Sequence, residues 1–211
     1  EWEGLNVTVP YKETVIPFLD GLSQEAEEIG AVNTIVRQEG KLIGYNTDYF
    51  GFTSMVHRSG LDPRGKKCLV LGSGGASATV QSVLKDFGAQ VVVISRSGEN
   101  NYDNLHLHAD APIVVNATPV GMYPKVDACP VSDEVIENCL SFFDVIYNPI
   151  ETLLMKKARA LGRTAVGGAA MLVYQAVKAH EIWYGGEFST EDISAVIKDV
   201  EDEVEKMNRG N

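Results

Sequence analysis

The stretch Val70-Leu71-Gly72-Ser73-Gly74-Gly75-Ala76-Ser77 constrains the fold more than any other. It joins an apolar run at 67–71 to an amphipathic run in which Val80, Val83, Leu84 and Phe87 recur at helical spacing. A glycine-rich turn between strand and helix leaves the first helical N–H groups unpaired and adds a partial positive charge, which suits phosphate. Gly72 permits the tight turn, Gly74 lets the backbone approach a pyrophosphate, and Ser73, Gly75 and Ala76 complete the loop. Ser77 holds the third small position, where Gly or Ala is usual. Further apolar runs at 90–95, 113–116, 143–147 and 164–166 are short, rich in Val and Ile, and without clear alternation. Strands of that kind are buried on both faces, and their alternation with helices predicts a parallel α/β sheet. A tight turn without ligand is the rival reading.

The second strand ends in Ile94-Ser95-Arg96-Ser97. An acidic residue at this place binds the ribose hydroxyls of NAD, whereas an Arg suits the 2′-phosphate of NADP. The planar guanidinium of Arg96 can grip that phosphate, and Ser95 and Ser97 can add hydrogen bonds. NADP is therefore favoured over NAD, with Glu99 as the competing signal and a surface Arg as the bland alternative.

A separate block precedes Pro63-Arg64-Gly65, a plausible linker. It reads as a strand over 5–9, helices over 12–19 and 23–29, and a hairpin of 34–37 and 42–45 turning at Gln38-Glu39-Gly40-Lys41, followed by a helix over 48–57. Lys12 falls in the first turn of an expected helix, where the dipole disfavours a cation, so it breaks a local rule; a solvated lysine is the alternative. Asp48 stands before a helix and reads either as an N-cap or as a chemical group. Asn33 is a turn residue or a hydroxyl-binding amide. Gln175 shares a helix side with Met171, Leu172 and Ala179, where an amide needs a partner. A Lys and a carboxylate together can share the proton of a reversible carbonyl reduction. The tail carries a helix over 170–184 and a last helix with Ile193, Val196, Ile197, Val200, Val204 and Met207 on one stripe, its acidic residues reading as a solvated face.

Composition narrows the class. The net charge of −11 argues against a nucleic-acid surface, which needs clustered Lys and Arg. No apolar run approaches the roughly 20 residues of a membrane-spanning helix, and Glu1-Trp2-Glu3 predicts no signal peptide. Cys68, Cys129 and Cys139 form no CxxC pair and suit buried thiols in a reducing cytoplasm. His57, His106, His108 and His180 make no metal set, with His106 and His108 expected on a surface helix or loop.

Seven segments together carry a resemblance. They are Asn6-Val7-Thr8-Val9-Pro10-Tyr11-Lys12, Gly30-Ala31-Val32-Asn33-Thr34, Gly44-Tyr45-Asn46-Thr47-Asp48, the glycine turn, Asn116-Ala117-Thr118-Pro119-Val120-Gly121-Met122, Asp144-Val145-Ile146-Tyr147-Asn148-Pro149, and Gly167-Gly168-Ala169-Ala170-Met171-Leu172-Val173-Tyr174-Gln175-Ala176. In this order the chain resembles the shikimate dehydrogenases from Gly4 to the last helix. The resemblance implies NADPH-dependent reversible reduction of 3-dehydroshikimate to shikimate, in chorismate and aromatic amino-acid biosynthesis. It implies a Lys12–Asp48 catalytic dyad, with Asn6, Thr8, Asn33 and Gln175 on the substrate hydroxyls. Tyr147 and Gly168 would lie near nicotinamide and substrate, and Thr118 and Met122 would line the cofactor cleft. The family's phosphate-binding Asn-Arg-Thr is Ser95-Arg96-Ser97 here.

The expected architecture is a doubly wound parallel Rossmann sheet over 66–168 and a smaller α/β substrate lobe over 1–60, with C-terminal helices over 169–211 returning to that lobe. Ligand would sit between the lobes. A homodimer is compatible with this layout. The family begins with a strand–helix–strand segment whose Ser-x-Ser pair holds the substrate carboxylate. That segment is absent here, so upstream residues are expected to be missing and the chain as it stands to bind substrate poorly. Three alternatives stay open: an NAD-using quinate/shikimate dehydrogenase, a nucleotide-binding module without catalysis, and a folate-cycle dehydrogenase, which fits the Rossmann half but not Asn6–Lys12 or Asn33.

Overall fold

The computed structural model describes residues 2–209. Two sheets organise it. The first has strands β1 (Gly4–Asn6), β2 (Gly21–Leu22), β3 (Thr34–Gln38) and β4 (Lys41–Tyr45) in the order β1-β3-β4-β2. β3 pairs antiparallel with both β1 and β4, while β2 pairs parallel with β4. The β3–β4 hairpin turns on Glu39 and Gly40, whose φ angles of 50° and 79° are those of a type I′ turn. Helix α1 (Gln24–Ile29) begins where the Ser23 hydroxyl accepts from the Ala26 N–H.

The second sheet holds β5 (Lys67–Leu71), β6 (Gln90–Ile94), β7 (Ile113–Asn116), β8 (Ser141–Asp144) and β9 (Thr164–Val166), all parallel, in the order β6-β5-β7-β8-β9. Successive residues of these strands enter opposite layers. Cys68, Val70, Ile113, Val115 and Phe143 face α3 (Gly75–Asp86) and α2 (Thr47–Ser59). Leu69, Leu71, Val114 and Phe142 face α4 (Asp133–Asn138) and α5 (Leu153–Ala160). Burial on both faces explains why these strands read as unbroken apolar runs. The sheet is therefore doubly wound, in Rossmann fashion.

Helix α2 follows the first sheet but packs on the second, with Phe52 edge-on to Phe143 at a centroid distance of 5.8 Å. Helix α6 (Ala169–Tyr184) crosses α2 where Gly51 leaves no room for a side chain: an added Cβ would lie 2.6 Å from the Met171 carbonyl oxygen. At its far end the Trp183 indole N–H donates to the Ile35 carbonyl at 2.9 Å, so α6 touches both sheets. Helix α7 (Thr190–Arg209) packs Ile193 and Ile197 against Ala170 and Val173 of α6.

Several sequence expectations need correction. No α-helix forms over 12–19; the chain there turns, with one 3-10 turn at Ile16–Phe18. The β-branched run Thr14-Val15-Ile16 and the proline at 17 disfavour a helix. The dipole argument for Lys12 falls with that helix. Lys12 is held instead by its carbonyl, which accepts from the Val32 N–H at 2.8 Å. The first strand stops at Asn6 rather than residue 9, with a last bond from the Val7 N–H to the Asn33 carbonyl at 2.7 Å before the chain turns away. The fourth strand of the large sheet is Ser141–Asp144, not 143–147; its register against β7 pairs Asn116 with Asp144, after which the chain leaves the sheet. β2, α4 and α5 are not among the expected elements; β2 and α4 are two and six residues long, whereas α5 buries Leu154, Met155 and Ala158 at helical spacing.

Candidate active site

The N-terminus of α2 sets the chemistry. Asn46 is its N-cap, with the side-chain oxygen accepting from the Tyr49 N–H at 3.1 Å and the amide donating to the Ala31 carbonyl at 3.0 Å. Asp48 is therefore not the cap. It lies in the first helical turn, where the dipole favours a carboxylate, and its side chain is free to turn outward. Lys12 Nζ donates to Asp48 Oδ2 at 2.6 Å, and the two side chains are 18% and 14% exposed. A pair this shielded keeps a charge-assisted bond that bulk water would weaken.

The pair forms part of the wall of a cavity of about 320 Å³, to which Asn6, Thr8, Asn33 and Gln175 also contribute. Asn33 is held on two sides: its amide donates to Thr47 Oγ1 at 3.0 Å and its oxygen accepts from the Thr47 N–H at 2.7 Å. Thr47 Oγ1 also lies 3.4 Å from Gln175 Oε1, and the Gln175 amide donates to the Leu172 carbonyl at 3.0 Å. Thr47, buried inside this amide cluster, was not singled out from the sequence. Its place one residue before Asp48 was the available signal.

The glycine turn opens beside the pair. Gly72 adopts φ 108°, and a Cβ there would lie 3.0 Å from the Ala117 carbonyl oxygen. The buried Ser77 hydroxyl donates back to the Gly72 carbonyl at 2.7 Å, so the third small position closes the turn instead of leaving it open. Gly74 caps α3 without a side-chain hydrogen bond, and the space a Cβ would occupy is clear for 4 Å. This uncapped, unobstructed helix start fits a pyrophosphate. A Cβ on Gly75 would lie 3.9 Å from Lys12 Cδ, which puts the turn next to the Lys12–Asp48 pair.

A second cavity of about 410 Å³ runs alongside, with Thr118 and Met122 on one wall and Tyr147 on the other. Ala76, Val145 and Tyr147 line both cavities, making one continuous cleft at the carboxyl ends of the strands. Gly168 lines the first cavity and donates its N–H to the Ile146 carbonyl at 3.0 Å; an added Cβ would run into the Val145 backbone. Ser95, Arg96 and Ser97 line neither cavity. They follow β6, which neighbours β5 in the sheet, and the Gly72 N–H donates to the Ile94 carbonyl at 2.8 Å. Arg96 and Ser97 are exposed, as Ser73 is at the turn itself.

Behind the cleft lies a carboxylate to which the sequence reading gave no role. Asp144 is 0% exposed, and burial pushes its pKa up to about 6, against the partial opposition of hydrogen bonds from Thr152, the Ile146 N–H and Asn116. Its only sequence signal was an acid inside the apolar run Phe142-Phe143-Asp144-Val145-Ile146. Elsewhere, Tyr49 on α2 donates to Asp86 on α3 at 2.7 Å, and burial together with that bond pushes the phenol up to about 12. His106 and His108 line a separate cavity of about 310 Å³ against α4. Among the described residues no three His, Cys, Asp or Glu side chains group to hold a metal, and no helix is long and apolar enough to cross a membrane.

Residues 1–35 match the family model for the shikimate dehydrogenase substrate binding domain. The chain is 42% identical over 194 residues to a shikimate dehydrogenase (NADP(+)) of Clostridium beijerinckii, covering 86% of this chain and 72% of that protein. A solved chorismate mutase/shikimate 5-dehydrogenase fusion protein from Clostridium acetobutylicum superposes with a TM-score of 0.92 at 39% identity, covering 96% of this chain and 78% of that one. Shikimate 5-dehydrogenase from Thermus thermophilus, solved in complex with NADP(H) and shikimate, gives a TM-score of 0.84 at 32% identity, covering 94% of this chain and 79% of that one.

Proposed function

The chain belongs to the shikimate dehydrogenase family, and from that premise we propose that it catalyses the reversible, NADPH-dependent reduction of 3-dehydroshikimate to shikimate in aromatic amino-acid biosynthesis. Bound NADPH supplies the hydride. The protein's own residues handle the proton and the orientation. In the reducing direction Lys12 Nζ delivers a proton to the forming alcohol oxygen; in the oxidising direction the amine recovers it. Asp48 aims Lys12 through the 2.6 Å bond between them. Asn6, Thr8, Asn33 and Gln175 offer hydrogen bonds to the substrate hydroxyls, and Tyr147 closes the cavity over them.

On the cofactor side, Gly72, Ser73, Gly74, Gly75 and Ala76 receive the pyrophosphate. Ser95, Arg96 and Ser97 receive the 2′-phosphate. Thr118, Met122 and Gly168 line the reacting half of the cleft. The three free thiols suit a reducing compartment, and the reading assigns the enzyme to the cytoplasm.

One observation carries the proposal: the 2.6 Å Lys12–Asp48 pair stands in the wall of a cavity continuous with the cleft beside the glycine turn. Lys12→Ala in the full-length protein should lower kcat by about 10²–10⁴-fold, the range of a general acid–base group, while NADPH affinity measured by calorimetry is kept. Wild-type turnover in that variant would overturn the proposal.

A further inference from the structure

Two loops form the facing walls of the larger cavity, one after β7 and one after β8. Both are tied to a single buried carboxylate. Asp144 Oδ1 accepts from Asn116 Nδ2 and from the Ile146 N–H, each at 3.1 Å, and Oδ2 accepts from Thr152 Oγ1 at 2.8 Å. Asn116, also 0% exposed, passes the constraint on. Its oxygen accepts from the Thr118 N–H at 3.1 Å and from Thr118 Oγ1 at 2.7 Å, and its amide also donates to the Val120 carbonyl at 3.2 Å. Thr118 Oγ1 then accepts from the Val120 N–H at 3.1 Å, which completes the fold of that loop. On the opposite side the Ile146 carbonyl accepts from Gly168, which starts α6.

We propose that Asp144 is a positioning residue for the cofactor: its carboxylate fixes Thr118 through Asn116 and fixes the Val145–Tyr147 wall through Ile146, so that the cleft has the right width before NADPH enters. This rests on the NADPH-dependent reading above. Asp144, Asn116 and Thr152 do not line the cavity; they act from behind it. Removing the carboxylate strands one N–H of the Asn116 amide, whose other N–H keeps the Val120 carbonyl, and strands the Ile146 N–H, so both loops lose their shared anchor. The cavity around Lys12 and Asp48 shares Val145 and Tyr147 with this wall but takes Asn6, Thr8, Lys12, Asn33 and Asp48 from the segments around the first sheet and from α2, so shikimate binding depends less on Asp144 than NADPH binding does.

Calorimetric titration of the full-length protein with NADPH and, separately, with shikimate tests the proposal. Asp144→Ala should weaken NADPH by about tenfold or more and shikimate by less than about threefold. Asp144→Asn should restore NADPH affinity to within about threefold of wild type, because its Oδ1 can accept both bonds that tie the loops. Unchanged NADPH affinity in Asp144→Ala, or equal loss of both ligands, would overturn the proposal. If Asp144→Ala does not fold, Thr152→Val decides, since it removes the bond to Asp144, together with the long cap on the Met155 N–H, and keeps the shape of residue 152. Weakening of NADPH by about threefold is expected there, and no weakening overturns the proposal. Wild-type protein that fails to bind NADPH would remove the dehydrogenase reading and this inference together; wild-type turnover with indifferent variants would remove this inference alone.

Discussion

Replacing Asp144 by asparagine should make the protein more stable at neutral pH and leave it nearly unaffected in acid. The folded pKa is about 6 against an ordinary value of 3.8, because burial penalises the anion. An acid whose folded pKa is raised holds its proton more tightly folded than unfolded. Below pH 3.8 both states are protonated and Asp144 carries no penalty. Between 3.8 and about 6 the folded state binds more protons, so stability falls as pH rises. Above that window the penalty is complete, and a shift of about two units corresponds to about 3 kcal/mol. The substituted amide cannot ionise, its oxygen can accept from Asn116 and Ile146, and its nitrogen can donate to the Thr152 hydroxyl. All other titrating groups are common to both proteins and cancel in the difference. Urea unfolding of the two proteins from pH 4 to pH 8 should therefore show the difference in unfolding free energy moving toward the variant by about 2–2.5 kcal/mol, the remainder being gained below pH 4. At the full penalty the Tm difference is roughly 6–12 °C for a chain of this size. A difference that stays flat to within about 0.5 kcal/mol would refute the burial argument. A charge kept at this cost behind a binding cleft is the kind of local rule-breaking that functional sites show.

Arg96→Glu should raise the KM for NADPH by about tenfold to a hundredfold, the worth of a charge-assisted phosphate contact, and leave that for NADH nearly unchanged; equal effects would refute the 2′-phosphate assignment. Thr47→Val strands the buried Asn33 amide and should cost about 1–3 kcal/mol on chemical denaturation while weakening shikimate binding, with Thr47→Ser restoring both; a Val variant of wild-type stability would show that Asn33 finds another partner. Gly51→Ala gains about 1 kcal/mol of helix propensity but forces α2 from α6, at about 1–3 kcal/mol, so calorimetry should record a lower Tm. A raised Tm would mean that the helices separate freely.

The sequence by itself determined the features that depend on near neighbours. Gly72 and Gly74 dictate a turn open to phosphate, the apolar runs of β5 and β7 dictate strands covered on both faces, and Val80, Val83 and Leu84 dictate the covering helix. Each follows from backbone freedom or from the period of apolar residues, which a few consecutive positions encode. The same local reasoning failed over 12–19, where helix-compatible residues were overruled by Pro17 and the β-branched residues before it, and it missed α4, only six residues long, and α5, although Leu154, Met155 and Ala158 there recur at helical spacing.

Only the tertiary structure decided which polar residues meet. Asp48 could have been an N-cap, and the Asn46 side chain took that place instead, freeing the carboxylate for Lys12. Gln175 reaches Thr47 from 128 positions away because α6 packs on α2 at Gly51. Asp144 acquires its raised pKa from the sheet and loops that bury it; the apolar run around it marks a buried strand but not the depth of burial or the partners. Distances between side chains far apart in sequence are set by how whole helices and sheets pack, and that information is spread across the core rather than written beside the residues it positions.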